Sequence, residues 1–131
     1  MFYLLPVIII ALLLVIVVFW KYSQGGLSKE IQKHIKKKWN KCVLNEKDRK
    51  KAILEADKIL DFTLKNLQYE GSLGEKLKKS KTLFSDLNGT WMAHKLRNKI
   101  AHEIDFELSE NQRKKAIRQF TQALQDLGIS V

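Results

Sequence analysis

The chain has 131 residues, with 24 lysines and arginines, 14 aspartates and glutamates, three histidines and one cysteine. This length allows one small domain. A single cysteine excludes a fold held together by internal disulfides, and the histidines and cysteine show no metal-ligand spacing, so we expect no metal centre. No glycine-rich phosphate loop follows a predicted strand, and no cofactor is expected. The net charge of +10 favours anionic partners.

The first predicted element is an apolar helix. Residues 2–20 carry no charged side chain, and a helix of this length extends roughly 28 Å, close to the hydrocarbon thickness of a bilayer. A cleaved signal peptide fits less well, because no lysine or arginine precedes the run and no small-residue cleavage site follows it. We therefore expect a transmembrane anchor over residues 1–22, in contact with the lipid bilayer.

Basic residues predict how this anchor would be oriented. All 24 lysines and arginines follow the apolar run, and residues 21–51 hold 11 basic and 3 acidic side chains. The positive-inside rule then predicts a single-pass protein of the cell membrane, with its N-terminus outside and its C-terminal domain in the cytoplasm. We interpret the basic cluster mainly as a topology signal and a lipid contact, although the positive electrostatic field of these side chains would also attract RNA. Residues 23–27 are predicted to be a flexible linker.

The remaining part, residues 28–131, has helical periodicity throughout and no alternating strand pattern. The predicted helices cover roughly 29–42, 46–68, 73–84, 90–103 and 110–127. Each follows a capping residue or capping box: Ser28, Asn45, Ser72 with Glu75, Thr90 or Asn88, and Ser109 with Gln112. The sequence therefore predicts an all-α antiparallel bundle of four to five helices, preceded by one transmembrane helix.

The candidate chemistry lies on the fourth of these helices, in Arg97, Asn98 and His102. Arginine binds phosphate as a planar fork and does not deprotonate, while histidine has a pKa suited to proton transfer near neutrality. Asn98 neighbours both His94 and His102 at a spacing of four residues, whereas Arg97 and His102 are five apart and do not share a face. A site using both therefore needs them to lean into one groove, or needs two chains to bring their copies together.

This motif resembles the signature of the HEPN domains, in which a late bundle helix carries arginine, a polar residue and then histidine. The matched residues are Arg97, Asn98 and His102, and the similarity in helix pattern covers roughly 28–129. The resemblance implies a metal-independent endoribonuclease that acts as a homodimer in toxin–antitoxin, defence or RNA-processing systems, with an antitoxin as one kind of partner. By this resemblance His102 would be the general acid or base, Arg97 would stabilise the phosphoryl oxygens and Asn98 would orient them. His94 is a further candidate that the family pattern does not supply.

Arg97, Asn98 and His102 can also be explained by structural roles without catalysis. A cationic His102 is favourable at a helix C-terminus, Arg97 could pair with Glu103 or with an acid on a neighbouring helix, and Asn98 could bond within the bundle. The sequence therefore leaves three functions open. The first is the binding or cleavage of RNA, and the second is nucleotide binding without cleavage. The third is a non-catalytic, membrane-tethered module that docks a protein partner.

Two carboxylates on the second predicted helix also have the spacing of a functional pair. Asp57 and Asp61 are four residues apart, so they share one helix face. We interpret them as part of a solvated ion-pair face, because Lys58 and Lys65 are nearby. Cys42 has no neighbouring partner that would activate it and is expected to be a small, partly buried residue.

Overall fold

The computed structural model describes residues 2–23, 26–44 and 47–131, with the backbone alone for 21–23. These residues form six α-helices, one short 3-10 helix and no strand. The helices are α1 (Leu4–Ser23), α2 (Lys29–Leu44), α3 (Arg49–Asn66), α4 (Leu73–Lys79), α5 (Leu87–His102) and α6 (Glu110–Asp126), with the 3-10 helix at Lys81–Leu83. The prediction of an all-α bundle is confirmed for α2–α6.

Side-chain caps fix where the bundle helices begin. At α6, the Ser109 hydroxyl accepts from the Gln112 backbone N–H, and the Gln112 side chain accepts from the Ser109 N–H, which completes the predicted capping box. At α3, the Asp48 carboxylate accepts from the Lys51 N–H at 3.0 Å. This helix therefore begins three residues later than predicted, and the predicted cap Asn45 lies outside the described residues, as does part of the predicted linker at 23–27.

The third and fourth predicted helices differ from the observed ones at one end each. The helix predicted over 73–84 ends at Lys79, where the Ser80 hydroxyl donates to the Lys76 carbonyl at 2.6 Å and the chain tightens into the 3-10 helix. The helix predicted over 90–103 begins earlier, at Leu87, because the Asp86 carboxylate accepts from the Gly89 N–H at 2.9 Å. A Cβ atom at Gly89 would collide with that carboxylate, so a larger residue there would require the Asp86 side chain to move.

The core is built around α3, which contacts α2, α4, α5 and α6. Its buried stripe carries the expected 3.6-residue periodicity, and the fully enclosed members are Ile53, Ala56, Leu60, Thr63 and Leu64. Helix α2 runs antiparallel to α3, since the Cys42 thiol donates to the Ala52 carbonyl at one end while His34 contacts Phe62 at the other. This arrangement leaves the opposite side of α3 for α5 and the residues that carry chemistry.

Helix α5 presents to the core a face that its apolar spacing predicts only in part. The spacing predicts an inward-facing stripe of Met92, Ala93, Leu96 and Ile100. Ala93 is buried and Leu96 and Ile100 pack partly buried against the core, whereas Met92 is 53% exposed. The buried residues of α5 are Gly89, Thr90 and Ala93. Their small side chains leave little bulk between α5 and α3, and this face continues along the helix to Arg97.

Helix α1 takes no part in the core, and the transmembrane prediction for it is corrected. Every large apolar side chain from Leu4 to Trp20 is at least 50% exposed. In the described part of the chain, no helix combines the length and the apolarity that crossing a bilayer requires. The predicted anchor at 1–22 and the single-pass location in the cell membrane are therefore not supported.

Candidate functional site

The structure brings together a carboxylate and an imidazole that the sequence did not pair. Asp57 of α3 and His94 of α5 contact each other through Oδ1 and Nδ1 at 2.8 Å. An ionised carboxylate can only accept a hydrogen bond, so Nδ1 carries the hydrogen and donates the hydrogen bond to Asp57 Oδ1. Both side chains are largely enclosed, with 7% of Asp57 and 13% of His94 exposed. The contact fixes the orientation of the ring and leaves Nε2 as its second functional nitrogen.

Arg97 lies on the other side of the same carboxylate. Its Nε atom is 3.4 Å from Asp57 Oδ2, and its Nη1 atom donates to Asn98 Oδ1 at 3.1 Å. In the described part of the chain, Nε is the one enclosed side-chain nitrogen or oxygen without a hydrogen-bond partner. The Arg97 side chain is 30% exposed, so part of it remains accessible to an anion while Asp57 lies beside Nε.

These four residues line a cleft of about 380 Å³ between α3 and α5, with the start of α4 at one side. We call it the His94 cleft. Lys58 and Asp61 also line it, together with Ser72, Leu73 and Gly74. Trp91 packs its ring edge-on against the His94 ring, at 6.0 Å between centroids. The cleft therefore combines a positioned imidazole, a partly exposed guanidinium and an amide, which suits the recognition of a phosphate ester.

The interpretation of Asp57 and Asp61 as a solvated ion-pair face is wrong for Asp57, whereas the Asp61 side chain is 42% exposed and does form an ion pair. Asp57 is buried with His94 and Arg97, and Asp61 pairs at 2.7 Å with Lys76, whose side chain is 5% exposed. Asp57 could have been recognised from its place in the sequence. It lies four residues after Ile53 and three before Leu60, in phase with the core, where an unpaired carboxylate is costly and indicates a partner.

Of the predicted site residues, Arg97 and Asn98 lie in the cleft and His102 does not. His102 is the exposed last residue of α5, about 12 Å along the helix axis from His94. Of the alternatives for Arg97, the structure shows the pairing with an acid on a neighbouring helix. The imidazole beside Arg97 is therefore that of His94, three residues before it, and not that of His102.

Cys42 is placed for packing and not for reactivity. Its side chain is buried in α2, and burial together with the nearby Glu55 carboxylate raises the pKa of the thiol to about 11. About a thousandth of the thiol is then ionised at pH 8, and the thiolate is the reactive form. We expect iodoacetamide at pH 8 to leave the folded chain unmodified and to label Cys42 fully in urea, as measured by mass spectrometry. Rapid labelling of the folded chain would contradict this assignment.

Comparison with known protein families, curated proteins and solved structures finds no match for this chain. The resemblance to HEPN domains is therefore not supported and is corrected. It depended on a short motif whose histidine, His102, lies apart from the arginine with which it should act. The case for a function consequently depends on the geometry of the cleft and not on relatives.

Proposed function

We propose that the His94 cleft binds RNA and cleaves it by metal-independent proton transfer. The contact between Asp57 and His94 at 2.8 Å, beside a partly exposed Arg97, is the observation that carries this proposal. An imidazole held by a carboxylate is suited to take a proton and then to bear the resulting charge. The site also lies on a chain with a net charge of +10, which attracts polyanions.

Each residue has a distinct role in this proposal. His94 Nε2 takes the proton of the ribose 2′-hydroxyl, and the Asp57 carboxylate stabilises the imidazolium that forms. The 2′-oxygen attacks the phosphorus atom, and the bond from phosphorus to the 5′-oxygen breaks. Arg97 stabilises the charge on the phosphoryl oxygens, a task for which a guanidinium fork is suited, and Asn98 orients it through the 3.1 Å hydrogen bond.

The proposal includes a homodimer. Among the described residues that line the cleft, His94 is the one imidazole, whereas cleavage needs both a base and a proton donor for the leaving 5′-oxygen. A second copy of the chain, or water, has to supply that proton. His102 is exposed at the end of α5, so it is available to approach the cleft of a partner chain.

Nucleotide binding without cleavage is the second candidate. The same single imidazole favours it, because a cleft with one imidazole can hold a phosphate group and leave it intact. The volume of about 380 Å³ is within the range of small-ligand sites. Binding of RNA or a nucleotide by the intact chain without any cleavage would favour this function over the first.

Arg97→Gln tests the first proposal. We expect the substitution to slow cleavage of a labelled RNA by roughly 10²–10³-fold in EDTA, because the fixed positive charge at the phosphoryl oxygens is lost. Lys95→Gln is the matched control, since Lys95 is an exposed cation on the same helix and does not line the cleft. The assay uses the full chain, with a non-ionic detergent because α1 exposes apolar side chains. Equal rates for wild type and Arg97→Gln would contradict the proposal.

A further inference from the structure

A second concavity, between α2 and α3, is strongly basic. The spacing of His34, Lys37, Lys38 and Lys41 places all four on one face of α2. Lys51, near the start of α3, faces them across a groove of about 380 Å³. We call this surface the lysine groove, defined by these five residues.

The positive charge of the lysine groove is not balanced locally. None of the ion pairs in the described part of the chain includes a lysine of the groove. The one acid in its lining, Glu55, approaches Lys58 at 3.7 Å. By contrast, Lys76 is neutralised by Asp61. Like charges that line a concavity concentrate the electrostatic field there and attract an anion with repeating charges.

The lysine groove leads towards the His94 cleft. A smaller concavity of about 210 Å³ is lined by His34 and Lys38 from the groove and by Lys58 of α3. Lys58 also lines the His94 cleft, so one exposed lysine borders both. Phe62 lies along this route, with 40% of the residue exposed and its ring 5.8 Å from the His34 ring. An exposed aromatic ring among lysines is a surface on which an unpaired base can stack.

We propose that the lysine groove binds the phosphate backbone of single-stranded RNA and directs the strand past Phe62 and Lys58 into the His94 cleft. This inference rests on the proposed function, because it assigns that site an extended polynucleotide as substrate. The strand is specified as single because stacking on Phe62 needs an unpaired base, whereas a base within a duplex is already stacked on its neighbours.

The salt dependence of binding tests the groove. The triple variant Lys37→Gln, Lys41→Gln, Lys51→Gln removes three charges and keeps residues of good helix propensity. For single strands, each lost phosphate contact lowers the slope of log affinity against log salt by about 0.7. We expect a slope shallower by about 2 and an affinity roughly 100-fold lower at 0.1 M salt. Fluorescence anisotropy of the full chain with a labelled 16-nucleotide RNA measures both.

A charge-matched control separates the groove from the general field of the protein. Lys65→Gln, Lys78→Gln, Lys81→Gln also removes three charges, at exposed positions that line neither the groove nor the cleft. We expect this variant to retain most of the wild-type slope. Phe62→Leu should weaken binding by roughly tenfold without a change in slope, because it removes base stacking and no charge.

The possible results distinguish this inference from the proposed function. Equal slopes for the groove variant and wild type would overturn the groove while leaving cleavage at His94 intact. Equal losses in both triple variants would also overturn it, as would duplex RNA binding as tightly as single strands. A shallower slope in the groove variant alone, without cleavage by wild type, would support the groove and contradict the proposed catalysis. If the wild-type chain bound no RNA, both would be overturned.

Discussion

Replacing His94 with glutamine should lower the rate of RNA cleavage by roughly 10²–10⁴-fold, the usual contribution of a positioned general acid or base. Glutamine approximates the size of the imidazole and can still donate a hydrogen bond to Asp57, but it cannot exchange a proton near neutral pH. The fold should persist, because His94 contacts α3 from the edge of the core and is not among its fully buried residues. The rate is measured in EDTA with a 5′-labelled RNA, and the helix content by circular dichroism.

His102→Gln is the matched control for this substitution. It changes the same residue type on the same helix, but His102 is exposed and lies outside the cleft. If water supplies the proton for the leaving 5′-oxygen, the His102→Gln variant should cleave at the wild-type rate. If His102 of a partner chain supplies that proton, the His102→Gln variant should lose cleavage as the His94→Gln variant does, so this comparison distinguishes the two proton sources. Wild-type cleavage by the His94 variant would contradict the assignment of His94.

Local signals in the sequence predicted most of the fold. The hydroxyl groups of Ser72 and Ser109 cap α4 and α6 as expected, since capping depends on residues three positions apart. Gly128 follows α6 with a positive φ of 91°, the conformation that favours glycine just after the end of a helix. The inward face of α5 was predicted only in part, because periodicity selects the most apolar stripe. Met92 in that stripe is 53% exposed, whereas the small residue Thr90 is buried against the bundle together with the expected Ala93.

The site was only partly predictable because its carboxylate, Asp57, comes from another helix. Arg97 and Asn98 are adjacent and were recognised together, whereas Asp57 and His94 are 37 positions apart in the sequence. Helical spacing reports neighbours within one helix and gives no information about which face of α3 meets α5. The informative signal was the place of Asp57 among core positions. A buried carboxylate requires a cationic or hydrogen-bonding partner, although periodicity does not identify that partner.

Replacing Asp57 with alanine should reduce both stability and cleavage. The carboxylate accepts from His94 at 2.8 Å and lies 3.4 Å from Arg97 Nε, an enclosed atom without a hydrogen-bond partner among the described residues. Its loss leaves a cationic group enclosed without its counter-charge, and we expect the free energy of unfolding to fall by about 2–3 kcal/mol. Cleavage should fall by at least tenfold, because the imidazole loses its fixed orientation. Urea denaturation and the RNA assay measure the two effects separately.

If Asp57 had only a structural role, Asp57→Ala would lower the free energy of unfolding without slowing RNA cleavage by the folded chain. The control variant therefore has to lose stability as well. Ile53→Ala meets this requirement, because Ile53 lies one turn before Asp57 on α3, is fully buried and does not line the cleft. We expect it to destabilise the chain while cleavage remains close to wild type under folding conditions. The double variant Asp57→Ala, His94→Ala should lose less stability than the sum of the single losses, since the two side chains contact each other. Strict additivity, or equal loss of cleavage in the Ile53 variant, would remove Asp57 from the site.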